Sequence, residues 1–199
     1  MYKRQLDYHT NLDDARELAE LMYNLAKLKI PTVAVVQGAA YGGALGLISC
    51  CDMAIGADDA QFCLSEVRIG LAPAVISPFV VQAIGERAAR RYALTAERFG
   101  GQRAREIGLL SESYPMAELE QKVDQWIDNL LLNSPAAMRA SKDLLREVGH
   151  GALTPALRRY TENAIARIRV SPEGQEGLRA FLQKRSPAWQ AETTLKEPR

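Results

Sequence analysis

Apolar residues change their spacing several times along the chain, and each change predicts an element. Between Thr10 and Pro31, the residues Leu18, Leu21, Met22, Leu25 and Leu28 recur at the three- and four-residue steps of a helix face. Thr10 or Asn11 stands where a cap is wanted, Asp13, Asp14 and Glu17 cluster near the start, and Pro31 stops the run. "TVAVVQG" follows as a short, almost wholly apolar strand, the pattern of a strand covered on both faces in a parallel sheet. A glycine turn opens a second helix through about Cys51, and "DMAIGA" and "AQFCL" are short strand candidates. Helix, strand, turn, helix, strand is the rhythm of βαβ units in an α/β layer fold.

From about Pro78 the period becomes helical. "PFVVQAIGERAARRYAL", "AELEQKVDQWIDNLLLN", "SPAAMRASKDLLREVG", "TPALRRYTENAIARIRV" and "SPEGQEGLRAFLQKR" are successive helices. Ser134, Thr154 and Ser171 each place a capping hydroxyl ahead of a proline at the first helical position. No further strong strand signal and no internal repeat is present. The reading is an α/β core over residues 1–115 and a helical region over 116–199. A buried strand needs several partners, and the chain opens on a helix with one convincing long strand. The sheet is therefore expected to lack its N-terminal strands.

Composition narrows the function classes. Of 199 residues, 47% are hydrophobic and 25% charged, enough for a sizeable core. The formal net charge of +1, from 25 basic and 24 acidic residues, gives no electrostatic reason to expect nucleic acid or an anionic membrane as a partner. Cys50, Cys51 and Cys63 form no CxxC pair and no metal-ligand spacing, so no metal is expected; buried thiols in a reducing compartment fit them. Gly46, Asp52 and Asp58 interrupt the longest apolar candidate for a membrane span, and "MYKRQLDYH" lacks the core of a signal peptide. The expected location is cytoplasmic.

Chemistry concentrates in "VVQGAAYGGALGL", residues 35–47. Gly38, Gly42, Gly43 and Gly46 match neither GxxxxGK[ST] nor GxGxxG, which disfavours nucleotide binding through those loops. Two readings of Gly42 and Gly43 stand side by side. They serve tight turn geometry alone, or they bare the unpaired N–H groups at a helix start, where a carbonyl oxygen gathering negative charge can be held. The second reading needs an acid–base group nearby. Glu66, in "QFCLSEVRIGLAPA", is the candidate, set among Phe62, Leu64, Val67, Ile69 and Leu71, an apolar setting that suits proton transfer. Its alternative is a solvent-facing carboxylate or one paired with Arg68.

These residues resemble a known family. "KIPTVAVVQGAAYGGALGLISCCDMAIGADDAQFCLSEVRIGLAPA" is similar to the signature region of the crotonase superfamily, the enoyl-CoA hydratases and isomerases. "AARRYALTAERFGGQRAREIGLLSE" and "FLQKRSPAW" resemble the family's later helix and C-terminal signature, whereas "MYKRQ" does not resemble it. Within the family the chain looks closest to bacterial methylglutaconyl-CoA hydratases. The resemblance implies a crotonase-like β/α core, truncated at its N-terminus, with a C-terminal helical region that builds a trimer or a hexamer. Leu119, Val123, Trp126, Ile127, Leu130 and Leu131 form apolar stripes for that interface or for an internal core.

By position, the resemblance assigns an oxyanion-hole N–H to Gly43 and α-proton exchange to Glu66. Ala39, Tyr41, Gly42 and Gly46 then fall on the substrate side of the turn, and Phe181 and Lys184 match residues that reach a neighbouring subunit's CoA. An exposed helix-end lysine is the alternative for Lys184, and Asp52 reads as structural. The family's first catalytic glutamate falls at Gly46, about one helical turn after Gly43, and a glycine there is expected to leave room for a branched or dicarboxylic acyl chain. The implied activity is addition of water across the C2–C3 double bond of an enoyl-CoA, a 3-branched glutaconyl-CoA in first place. The substrate is an acyl-CoA, and no separate cofactor is implied. A Δ3,Δ2-enoyl-CoA isomerase and a non-catalytic fragment are the alternatives.

Overall fold

In the computed structural model, which describes residues 7–149 and 152–193, the first helix is α1 (Tyr8–Lys27), and Asp7 caps it rather than Thr10 or Asn11. The Asp7 carboxylate accepts from the His9 and Thr10 N–H groups at 2.9 and 3.2 Å and from the Thr10 hydroxyl at 2.6 Å. An ionised acceptor at the positive end of a helix satisfies more donors than a hydroxyl would. The segment "MYKRQ" lies outside the described residues. Of the predicted stripe, Met22 is fully buried, Leu18 and Leu25 are half-buried, and Leu21 and Leu28 are exposed.

The β/α core continues through β1 (Val33–Val36), β2 (Ala39–Tyr41), α2 (Gly43–Cys50), β3 (Met53–Ala57) and β4 (Gln61–Cys63). After a single 3₁₀ turn over Glu66–Ile69 come α3 (Ser77–Thr95), β5 (Phe99–Gly100), α4 (Gly101–Glu106) and β6 (Glu112–Tyr114). Gly85, at φ 74° and ψ 158°, breaks the helical dihedrals inside α3.

Two three-stranded sheets result, in the orders β1-β3-β6 and β2-β4-β5. β3 pairs in parallel with both β1 and β6, with Val36 opposite Gly56 and Gly56 opposite Ser113. β4 pairs in parallel with β2 and antiparallel with β5. Three of these strands depart from the sequence reading. β2 sits inside what reads as a turn, and β5 and β6 fall where no strand signal is present. They are two or three residues long and are held by partners distant in sequence, so no period of two develops. β1 is also not covered on both faces: it is an edge strand, and Val35 is 42% exposed.

Large side chains close the space between these elements. Leu45, Ile55, Phe62, Leu64 and Leu110 are almost wholly buried. Phe99 bridges two aromatic neighbours, its ring centroid 5.5 Å from that of Phe62 and 4.2 Å from that of Tyr92. Asp52 performs the structural task read for it. Its carboxylate accepts from the Thr32 N–H at 2.7 Å and the Thr32 hydroxyl at 3.0 Å, and its own N–H donates to that hydroxyl at 3.0 Å. These bonds join the entries of β1 and β3.

The helical remainder comprises α5 (Met116–Leu131), α6 (Pro135–Val148), α7 (Pro155–Val170), α8 (Pro172–Leu182) and α9 (Ala188–Thr193). All three hydroxyl-plus-proline starts form as read: Ser134, Thr154 and Ser171 accept from Ala137, Leu157 and Gly174 N–H groups at 3.0, 3.1 and 3.0 Å. Glu173 reinforces the first, accepting from the Ser134 hydroxyl and from the Ala136 N–H at 2.9 Å. These donors hold its carboxyl below the usual carboxylate range.

The chain divides into two compact units inside α5, after Val123, and not at 115/116. Leu119, in the first part of α5, is 1% exposed and belongs to the core of the first unit. Residues 29–31 group with the second unit, where the Ile30 carbonyl accepts from Lys142 Nζ at 3.0 Å. Among the described residues, no helix is long and apolar enough to cross a membrane.

Candidate active site

The glycine pair occupies the seam between β2 and α2. Gly42 adopts φ 55° and ψ −121°, a region that side-chain-bearing residues avoid, so the turn itself requires glycine here. Its N–H donates to the Cys63 carbonyl at 2.9 Å, which fastens the turn to the end of β4. Gly43 is the first residue of α2, so its N–H has no acceptor within the helix. Among the described residues, no atom beyond its own helix and chain neighbours lies within 4 Å of where a Cβ on Gly43 would stand, and the residue is exposed.

Glu66 comes to this seam from the far end of β4. A Cβ placed on Gly42 would lie 3.1 Å from Glu66 Oε1 and 3.6 Å from its Cδ, so the carboxyl rests against the face that Gly42 leaves bare. The other oxygen, Oε2, is buried and has no hydrogen-bond partner among the described residues. An unpartnered buried carboxyl oxygen is an uncommon arrangement that calls for a reason. Arg68 does not pair with it: the guanidinium Nη2 donates to the Ala96 carbonyl at 2.6 Å. The expected apolar surround is half present. Phe62 and Leu64 are buried, whereas Val67, Ile69 and Leu71 are 39%, 74% and 61% exposed.

The room expected at Gly46 is absent. A Cβ there would come within 2.3 Å of Ile76 Cγ2, 2.7 Å of Ile76 Cβ and 3.0 Å of Met22 Cε. Ile76, itself 3% exposed, fills the space that the missing side chain leaves. Gly46 is thus a close-packing glycine, and it supplies neither an acid–base group nor a hollow for an acyl chain.

The other predicted positions are distributed more widely. Ala39 and Tyr41 lie on β2 and are exposed, and the Arg98 guanidinium sits 5.5 Å from the Tyr41 ring centroid. Phe181 and Lys184 belong to the second unit; Phe181 is 81% exposed, and Lys184 takes a left-handed φ of 53° just after α8. A mostly apolar hollow of about 470 Å³ lies against Leu64, Pro73, Val80, Val81, Ala89 and Leu94, and neither Gly43 nor Glu66 lines it. Sequence reasoning did not find Ile76, Cys63 or Ala96. For Ile76 the signal was the Gly46 position itself, whose lack of a side chain requires something to pack there.

The pattern of the enoyl-CoA hydratase/isomerase family matches residues 1–192. The hydroxycinnamoyl-CoA hydratase-lyase of Pseudomonas fluorescens is 37% identical over 129 residues, 64% of this chain and 47% of that protein. The 2,3-dehydroadipyl-CoA hydratase of Escherichia coli is 29% identical over 182 residues, 91% of this chain and 70% of that protein. In three dimensions, the crystal structure of an enoyl-CoA hydratase from Shewanella pealeana superposes with a TM-score of 0.88 at 53% identity, covering 92% of this chain and 69% of that one. The chain spans about half to seven-tenths of the length of these relatives. With residues 1–192 matching the family pattern and its fold superposing on that crystal structure, the chain belongs to the enoyl-CoA hydratase/isomerase family.

Proposed function

We propose that this chain carries the acid–base half of an enoyl-CoA hydratase site. The observation that carries the reading is the Glu66 carboxyl lying against Gly42, with one oxygen buried and unpartnered, beside the helix-start N–H of Gly43. The Gly43 N–H donates to the thioester oxygen, which takes up charge as the double bond is attacked. Glu66 accepts a proton from water as its oxygen bonds to C3, and a proton passes from the carboxyl to C2. One hydroxyl and one hydrogen are added, and the carboxyl returns to its starting state. CoA enters as part of the substrate, and no further cofactor is required by these steps.

The acyl chain is proposed as short and branched or dicarboxylic, a 3-branched glutaconyl-CoA in first place. Support comes from the resemblance of the signature region to methylglutaconyl-CoA hydratases and from the likeness to a hydratase named for dehydroadipyl-CoA. The closed space at Gly46 lends it none. Initial rates with 3-methylglutaconyl-CoA and crotonyl-CoA, followed by loss of the conjugated enoyl-thioester absorbance, test this reading; equal or better hydration of crotonyl-CoA removes the branched-chain preference.

A second reading rests on the absence of a side chain at Gly46, which leaves Glu66 as the carboxyl at the glycine seam. A single carboxyl that moves a proton between two carbons is a double-bond isomerase. Product analysis separates the two: a 3-enoyl-CoA converted to a 2-enoyl-CoA without water uptake identifies the isomerase. The phenylalanine and lysine at 181 and 184 are proposed to meet CoA from a second subunit, within a trimer or hexamer that sedimentation would detect.

A further inference from the structure

We infer that Arg68 is a positioning residue for Glu66, acting through a clamp on the Ala96 carbonyl; the inference rests on the acid–base role proposed for Glu66. Glu66 and Arg68 share one 3₁₀ turn, Glu66–Ile69. Such a turn has strained hydrogen-bond geometry and little stability of its own. Its Ser65 cap makes no side-chain hydrogen bond, and its backbone bonds are internal, with Arg68, Gly70 and Leu71 N–H groups donating to the Ser65, Val67 and Glu66 carbonyls at 3.1, 3.3 and 3.0 Å. Burial does little to hold it, because Val67, Ile69 and Leu71 are all exposed. Among the described residues, one side-chain hydrogen bond ties this turn to another element: Arg68 Nη2 to the Ala96 oxygen, 2.6 Å.

The anchor at the other end is unusual. Ala96 closes α3 in the left-handed conformation, φ 49° and ψ 29°, and is 1% exposed. A non-glycine residue held there is strained, and surroundings must fix it. The same oxygen receives the Cys63 thiol at 3.2 Å, and the Cys63 carbonyl in turn receives the Gly42 N–H at 2.9 Å. One buried carbonyl therefore references both halves of the proposed site. Through Cys63 it sets the glycine turn, and through Arg68 it sets the turn that carries Glu66. A charged donor on a buried carbonyl is among the stronger hydrogen bonds. Arg68 is otherwise exposed, so shortening it leaves no cavity.

Arg68→Met keeps the aliphatic stem and removes the donor, whereas Arg68→Lys keeps a charged donor of different geometry. Both are compared with the unaltered 199-residue chain by amide hydrogen exchange and by hydration kinetics. With methionine, exchange at Gly70 and Leu71 is expected to speed roughly tenfold, the effect of losing a partly exposed charged hydrogen bond, while amides of β3 stay unchanged. kcat falls by about the same factor with KM nearly constant, since orientation is lost and binding is kept. Lysine restores part of both. Unchanged exchange at Gly70 and Leu71 overturns the clamp, as does equal acceleration in β3, which marks general destabilisation. An unchanged kcat in Arg68→Met, in a chain that Glu66→Gln inactivates, overturns the positioning role. If Glu66→Gln leaves the rate intact, the acid–base reading fails, and the exchange result still decides the clamp.

Discussion

Gly46→Ala sets two calculable effects against each other. In the interior of α2, exchanging glycine for alanine gains about 0.5–1 kcal/mol from backbone entropy and helix propensity. Against it stands the new methyl carbon, 2.3 Å from Ile76 Cγ2 and 3.0 Å from Met22 Cε, where carbon atoms pack at about 3.5–4.0 Å. Met22 can flex, but Ile76 is β-branched, stiff at χ1 and 3% exposed, so the overlap falls on a side chain with few alternatives. Overpacking of this kind costs about 1–3 kcal/mol. The net effect is destabilisation by about 1 kcal/mol, or roughly 2–4 °C in Tm for a chain of this size. A double-mutant cycle makes the test sharper. Ile76→Ala alone opens a cavity and costs about 2–5 kcal/mol, but in the Gly46→Ala background the methyl fills part of that cavity, and the cost falls by at least about 1 kcal/mol. Thermal and urea unfolding report both numbers. A Gly46→Ala chain more stable than the parent, with additive effects in the cycle, would refute the packing account and reinstate free space beside α2.

Three other outcomes are expected from the packing and charges of this chain. Gly42→Ala forces a side chain into φ 55° and places its methyl 3.1 Å from Glu66 Oε1, so stability should fall by about 1–3 kcal/mol and hydration should be lost more steeply than stability; a variant with normal rate in its folded fraction would separate Gly42 from the site. Hydrogen bonds from Arg185, then from the Ala188 N–H, and the charges of Arg185 and Arg179 lower the Glu176 carboxyl from 4.5 to about 2. A depressed carboxylate contributes stability that is present above its unfolded value and is lost as pH falls from about 4.5 to 2, so acid titration followed by tryptophan fluorescence should show a loss across that window that Glu176→Gln lacks. Burial, with the neighbouring Cys51 second, raises the Cys50 thiol to about 11. Iodoacetamide at pH 8 should therefore label Cys51 first and Cys50 only on unfolding; early labelling of Cys50 would contradict its burial.

What the sequence disclosed was local. A hydroxyl before a proline announces a helix start because the donor and acceptor lie within three residues, and Ser134, Thr154 and Ser171 all behave so. The exit of β1 into a glycine turn and α2 was legible for the same reason, as was Glu66 beside a strand end. The cap of α1 was misplaced because Asp7, Thr10 and Asn11 compete within one turn, and only geometry shows which oxygen faces the free N–H groups. β5 and β6 were hidden because their stability comes from β4 and β3, far along the chain, and not from their own residues. Gly46 was misread for a related reason. A missing side chain says that something must come close, but whether that is a ligand or Ile76 is decided by a residue on another element. Arg68 was weighed as an ion-pair partner of Glu66 by proximity in sequence, although the 3₁₀ turn lays the Glu66 carboxyl against Gly42 and sends the Arg68 guanidinium to the Ala96 carbonyl.

The central claim is that the Glu66 carboxyl moves the protons while the Gly43 N–H holds the thioester oxygen. Glu66→Gln is nearly isosteric and removes the proton exchange while leaving the glycine seam intact. Hydration of crotonyl-CoA by the variant, measured beside the parent chain at equal folded concentration, should be slower by on the order of a hundredfold or more, with KM little changed. A rate close to that of the parent would contradict the account.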